Sequence, residues 1–503
     1  MTWPTDRERI RRLGNGRRLT ALLCRISNEV EPADFRTLSA VRPEQADHSR
    51  VRRLLVREFS ITEGVVLLMA SIVFSALLGS VRQVLLNAQF GTGMAANAYY
   101  AAFRLPDGLF ALIAGGALSS AMIPILLSTE REDGPADWAR LVNLVFTSLM
   151  VVLIVIVALG EIFAPAFVHH LLAPGFDAET SRLTIRLTRI MLLQPLILAA
   201  GSVAAAVLNS RNQFLLTAIS YASHNVCIIL GIAATWIAPG LGIYGPTFGL
   251  LAGAALQVII LLPGIHDNGL HFGIDWDPAS ERLRQVVRLL IPNGLSVGVG
   301  YTGFIVDTAF ASKVPNSAAL PAIQNAWLLV ALPIAFLGSG IGQAVFPRLA
   351  AHAAAGRWRT MHRTLLSALA IVIILAVPAL LGLAVLGRFL IHILFEHGKF
   401  DASAGSLTYR VLLVYVLALP AAVATEILTR GLIALRDTRT PLLTNSLQLI
   451  LRAALIAILL DRLDVVAIPL AFALSATLET LLLAAILLPR IGGRVRLGRD
   501  DTV

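Results

Sequence analysis

Four charged residues fall inside stretches that are otherwise apolar. They are Arg82 in "LLGSVRQVLLNAQF", Arg104 in "AYYAAFRLPDG", Asp307 in "GFIVDTAFAS" and Arg452 in "LILRAALIAILL". A charge in a lipid-spanning segment is costly unless it faces a cavity or a partner, so each is a candidate for function. The guanidinium fork matches phosphate oxygens two at a time, and an intramembrane acid can hold a cation. Each residue also has a plainer reading. Arg82 could snorkel to the nearer interface. Arg104 could pair locally with Asp107, and Asp307 could serve a neighbouring polar helix. Arg452 could supply a cavity charge, or pair with Asp307 or Glu426. Glu426 and Arg430 are spaced i,i+4, which favours a pair within one helix. Nothing in the sequence resembles a nucleophile–base set, a Walker loop or a metal-ligand cluster. Cys24 and Cys227 cannot build a disulfide framework. The expectation is a transporter rather than an enzyme, with no cofactor. Its driving force would be an ion gradient, the membrane potential or the substrate gradient.

The elements that must position these charges are set by composition. The chain is 56% hydrophobic and only 14% charged, against about 25% charged in soluble domains. Apolar stretches of bilayer-spanning length, about 20 residues, recur along it, and the alternating pattern of a β-barrel is absent. An all-α polytopic membrane protein is predicted, with about twelve spans. They are placed at 62–88, 96–127, 140–165, 185–208, 213–236, 241–263, 285–311, 319–347, 362–386, 405–430, 441–461 and 465–489. The formal charge of +10 is read as topology rather than nucleic-acid binding, because cytoplasmic loops collect basic residues. With the N-terminal tail inside, the cytoplasmic linkers carry Arg131, Arg140, Arg211, Arg282, Arg284, Arg357, Arg359, Arg363, Arg436 and Arg439. The C-terminal tail adds Arg490, Arg494, Arg496 and Arg499. Arg182, Arg186, Lys313, Lys399 and Arg462 are the exceptions. Both termini are therefore expected in the cytoplasm. Residues 1–59 read as an arginine-rich, partly disordered cytoplasmic tail, or as sequence ahead of a later start. Residues 60–265 and 280–490 read as two six-helix lobes, and 491–503 as a second tail.

The two-lobe reading rests on an internal repeat. "GGALSSAMIP" at 115–124 resembles "GSGIGQAVFP" at 338–347, at an offset of 223 residues. "APGFDAETSRLTIR" at 173–186 resembles "HGKFDASAGSLTYR" at 397–410, at an offset of 224. Six spans repeated in the same orientation pack as two lobes about an axis along the membrane normal, with a site between them. That is the shape of an alternating-access transporter.

"LLGSVRQVLLNAQFGTGMAANAYYAAFRLPD…GGALSSAMIPIL" resembles the opening two helices of the MurJ (MviN) family of lipid II flippases, within the multidrug/oligosaccharidyl-lipid/polysaccharide exporter superfamily. "VLNSRNQF" (207–214), "VDTAFAS" (306–312), "GKF" (398–400) and "ALRDTRTP" (434–441) extend the resemblance over about 62–489. It implies two six-helix lobes around a central cavity in a bacterial inner membrane. The implied substrate is an undecaprenyl-pyrophosphate-linked glycan, lipid II, for peptidoglycan synthesis. The implied partners are membrane lipids, a coupling ion and cell-wall synthesis proteins. Arg82, Arg104 and Arg452 are then candidate substrate contacts. Asp307, Asn97 and Glu426 are candidate cation or gating positions. The resemblance also marks departures. Ala76, Phe110 and Leu328 stand where members carry arginine, and Gln83, Asn97 and Gly115 where they carry acids. The two further C-terminal helices of many members have no counterpart. Alternatives are export of another polyprenyl-linked glycan or an amphipathic molecule, or a non-transporting scaffold of the same fold.

Overall fold

The computed structural model describes residues 57–114 and 117–496. The chain divides into Met1–Arg53 and Leu54–Val503. The first unit, with most of the expected N-terminal tail, lies outside the described residues, as do 497–503.

No strand occurs among the described residues. The first half runs α1 (Ile61–Phe90), α2 (Met94–Ala114), α3 (Ala117–Glu132), α4 (Pro135–Phe167), α5 (Ala178–Met191), α6 (Leu193–Ser210), α7 (Phe214–Ile237) and α8 (Tyr244–Asp267). The second runs α9 (Glu281–Ala311), α10 (Ala319–Pro333), α11 (Ile341–Ala354), α12 (Trp358–Phe395), α13 (Ala402–Tyr415), α14 (Leu419–Ala434), α15 (Arg439–Leu463) and α16 (Ala467–Arg496). Nine described stretches are long and apolar enough to cross a membrane, and one of them, Arg439–Val495, turns between α15 and α16. The pairs α5–α6, α10–α11 and α13–α14 are each one broken span, and α2 and α3 lie on either side of residues 115–116 within the second expected span. Every expected span thus has a helix or a broken helix.

The repeat is written into the backbone. The breaks at Leu192 and at Val416–Ala418 are 224 residues apart. Each lies just before a proline, Pro195 and Pro420. Proline has no N–H to return to the carbonyl four residues back, so the helix loosens there. Asn212 (φ 57°) and Arg436 (φ 60°) share the same offset and both adopt the left-handed conformation. Asp177 caps α5 by accepting from the Glu179 and Thr180 N–H groups, and Asp401 caps α13 by accepting from Ala404 N–H. Hydrogen bonds from Thr180 and from Ala404 hold both carboxyls below the usual carboxylate range. Packing repeats too. In the first half α7 lies on α8 and α1, α6 on α8, and α2 on α5; in the second, α15 lies on α16 and α9, α14 on α16, and α10 on α13.

The two halves clasp each other at the end of the bundle that carries residues 91–93, 173–177, 312–318 and 398–401, called here the distal end. Lys399 N–H donates to Ala88 O at 2.8 Å. Gly398 sits there at φ 58°, where a Cβ would lie 2.3 Å from Ala88 O. Reciprocally, Gly175 N–H donates to Ser312 Oγ at 3.0 Å, and a Cβ on Gly175 would lie 2.4 Å from Ser312 O. Each half thus lays a glycine loop on the last turn of the other half's first span. The opposite, arginine-rich end is called the basic end.

Candidate functional site

The polar residues buried between the halves form a seam from the distal end inward. At its top the Asn97 amide donates to Thr92 O (3.0 Å), Gly93 O (3.1 Å) and, across the seam, Ser317 O (2.9 Å). One level down, Gln83 and Asn87 of α1 meet Tyr100 of α2 and Asn325 of α10. Gln83 Nε2 donates to Asn325 Oδ1 (2.7 Å) and Tyr100 OH (2.6 Å), Asn87 Nδ2 donates to Asn325 Oδ1 (2.9 Å), and Tyr100 OH donates to Asn87 Oδ1 (3.0 Å). All four residues are buried. The Asn325 Oδ1 accepts from both α1 amides while its own Nδ2 has no partner among the described residues. The bonds that are made favour one arrangement of helices, because an unmade bond in apolar surroundings is expensive.

Arg104 lies at the next level and is buried. Its Nε donates to Thr308 Oγ1 (2.8 Å) and its Nη2 to Gln324 Oε1 (2.7 Å). Its guanidinium sits 5.6 Å from the Phe304 ring centroid. The local pair with Asp107 does not form; Asp107 accepts from Tyr301 OH at 2.6 Å. Helical side chains lean toward the N-terminus, so Arg104 points toward the distal end and away from an acid one turn further along. Its acceptors are neutral and all belong to the second half.

Arg82 is half-buried. It makes no ion pair or hydrogen bond among the described residues; its contact is the Phe103 ring, 5.9 Å from the guanidinium carbon. Asp107 and His224 lie within electrostatic reach. Asn225, the neighbour of His224, ties α7 to α1 by donating to Ser75 O at 3.0 Å. Below Arg82, α1 leaves Val66, Met69, Val73 and Leu77 exposed.

Asp307 and Arg452 form a buried ion pair inside the second half. Tyr415 OH donates to the same Asp307 oxygen at 3.5 Å. Arg452 stacks 4.7 Å from Phe472. Trp327 packs edge-on against Phe304, Tyr415 and Phe472, two of which, Tyr415 and Phe472, touch the pair itself. Of the roles open to Arg452, pairing with Asp307 is the one the geometry realises. Glu426 does not pair with Arg430. It packs against Gly338 in the π-helical turn Ile334–Gly340, while the Arg430 stem lies against Gly342. The structure therefore gathers Arg82, Arg104 and Asn97 along one seam. It sets Asp307 and Arg452 beside that seam and Glu426 against the π-helical turn of the eighth span. Sequence reasoning missed Asn87, Tyr100, Tyr301, Thr308, Gln324 and Asn325. Their signal was amides and hydroxyls in apolar spans, such as "QNAW" at 324–327.

A model of the family described as "Lipid II flippase MurJ" matches residues 86–498. A "Probable lipid II flippase MurJ" from Rhizobium tropici is 28% identical over 386 residues, covering 76% of this chain and 72% of that one. A "Lipid II flippase MurJ" from Burkholderia cenocepacia is 30% identical over 377 residues, 73% of this chain and 72% of that one. Among solved structures, "Lipid II flippase MurJ, inward closed conformation" aligns with a TM-score of 0.72 at 23% identity, covering 84% of this chain and 87% of that one. An inward-facing multidrug resistance MATE family transporter of the MOP superfamily aligns at 0.73 and 12% identity, covering 84% and 96%. These two structural likenesses concern the fold.

Proposed function

This chain belongs to the lipid II flippase MurJ family, and on that basis we propose that it carries lipid II across the bacterial inner membrane by alternating access, in support of peptidoglycan assembly. It is a transporter, not an enzyme. The observation that carries the residue-level reading is Arg82: a half-buried arginine on α1 beside the seam, with no anion bonded to it among the described residues. The diphosphate of a polyprenyl-linked glycan supplies the missing charge. Its headgroup needs a hydrated path between the halves, while the exposed apolar flank of α1 lets the tail stay in lipid.

Arg104 then acts as a latch. In the closed seam it is held by the neutral oxygens of Thr308 and Gln324. Hydrogen bonds to an ionised acceptor are roughly twice as strong as neutral ones, so a diphosphate arriving at Arg82 competes for Arg104 and loosens α2 from α9 and α10. Asn97, with the reciprocal glycine clasps, closes the distal end. Asp307 already holds a cation, Arg452. A coupling ion at Asp307 must displace that guanidinium, so coupling through the membrane potential or the substrate gradient fits better. On this reading the cell-wall enzymes that make and consume lipid II are its functional partners.

The test is complementation of a strain depleted of its own lipid II flippase. Restored growth is the expected result. Lysis despite normal insertion would turn the assignment toward another polyprenyl-linked glycan. The neutral residues Ala76, Phe110 and Leu328, which thin the cations of the expected cavity, already favour that second reading.

The basic end is assigned to the cytoplasm with both termini, because its loops collect arginines. A cysteine at position 357 should react with a membrane-impermeant thiol reagent only after the cells are opened; labelling in intact cells would reverse the topology.

A further inference from the structure

At the basic end of the second half is a recess of about 460 Å3. Its walls are the last turns of α11 and α14, the start of α12 and the end of α16. Phe346, Ala350 and Ile433 make an apolar side, and Trp358, Arg436 and Arg494 the other. The Arg494 guanidinium stacks 4.4 Å from the Trp358 ring. Arg436 is the left-handed residue of the repeat, φ 60°, and is exposed. Neither arginine has an ion pair among the described residues. Asp437 is the single acid in 344–363, 430–440 and 487–496. It is committed elsewhere, to Thr440 N–H (3.0 Å), Thr440 Oγ1 (2.7 Å) and Arg490 (2.5 Å).

The first half gives the contrast. There Arg211 stacks on Trp138 at 4.7 Å, and Glu130 takes its charge at 2.6 Å. The residues one repeat on from Glu130 are Ala353 and Ala354, and both line the recess. Where one half carries its own counter-anion, the other carries a hole and two arginines with no counter-anion among the described residues.

We infer that this recess binds the phosphate headgroup of an anionic membrane phospholipid, with one acyl chain on the Phe346–Ala350–Ile433 wall. The position fits: helix ends flanked by apolar spans, with an aromatic ring at the rim, are where lipid headgroups lie. Basic recesses between spans at a cytoplasmic face suit such lipids. A contact with the ring uses none of the guanidinium's N–H donors, so those of Arg494 remain available to phosphate oxygens.

The test uses the full chain in detergent micelles, titrated with phosphatidylglycerol or phosphatidylcholine brominated on the acyl chain. Bromine quenches nearby tryptophan, and subtracting a Trp358→Phe protein isolates the signal of Trp358. Brominated phosphatidylglycerol should quench that signal, and brominated phosphatidylcholine should quench it far less. In the Arg436→Gln/Arg494→Gln protein the half-saturating lipid fraction should rise about ten-fold. The Arg436→Lys/Arg494→Lys protein should keep most of the binding, which separates lost charge from lost structure. Equal quenching by the two lipids, or an unshifted glutamine variant, overturns the site. Competition by inorganic phosphate at matched concentration would make it a free-phosphate site and overturn the lipid assignment. Competition by lipid II, with no response to phosphatidylglycerol, would make it part of the transport path instead.

Discussion

Arg82→Ala should fold, insert and extract like the wild type, yet move lipid II at least ten-fold more slowly. The two halves of this expectation come from one fact. Arg82 has no ion pair or hydrogen bond to lose among the described residues, so its removal strands no buried partner. Changes of that kind stay within about 0.5 kcal/mol, apart from a weak contact with Phe103. The same lack of a protein anion is what makes it available to a diphosphate. Losing charge-assisted hydrogen bonds worth about 1.5–3 kcal/mol corresponds to roughly ten- to a hundred-fold in rate or affinity. Arg82→Lys keeps the charge but not the fork, so it should recover only part of the activity. A flipping assay on purified protein in vesicles reads this directly. Wild-type rates for the alanine variant would make Arg82 an interface anchor and remove it from the transport path.

Asp307→Ala should be the most destabilising single change among the residues considered. It leaves the Arg452 charge buried beside aromatic rings with no counter-charge. Breaking one side of a buried pair costs about 3–5 kcal/mol. Replacing both partners by apolar residues of similar size, Asp307→Leu with Arg452→Met, should recover most of that loss, because the desolvation cost disappears with the charges. Thermal unfolding in detergent of the wild type, Asp307→Leu, Arg452→Met and the double variant measures the coupling, with Asp307→Ala compared alongside. If Asp307→Ala unfolds at the wild-type temperature, the pair is not the packing element described here, and Asp307 returns as a candidate for cation binding. Transport by the double variant separates structure from coupling. Activity retained without either charge places the driving force elsewhere.

The site was only partly legible in the sequence because its chemistry is divided between distant segments. Arg82 and Asp307 stood out as charges in apolar runs. Arg104 stood out equally, but its nearest acid in sequence, Asp107, is not its partner. Thr308 and Gln324 are, and nothing local in the chain points from one to the others. Asn97 drew attention as a missing acid and turned out to bond across to Ser317 O at the distal end with its amide. Gln83 drew the same attention and proved to be the hub of a neutral cluster with Asn325, 242 residues away.

Hydropathy alone determined the helical class, the number of passages and the bias of arginines to one end, because lipid demands apolar runs and satisfied backbones whatever the neighbours are. The repeat determined which elements are equivalent, down to the capping aspartates Asp177 and Asp401, because capping is a local property; the matching left-handed turns at Asn212 and Arg436 became visible only in the backbone. Only the tertiary structure decided which buried charges are neutralised. Arg452 found Asp307, Arg211 found Glu130, and Arg82, Arg436 and Arg494 found no acid among the described residues. Pairing across a membrane bundle is set by how helices far apart in sequence pack together, and no single helix encodes that packing.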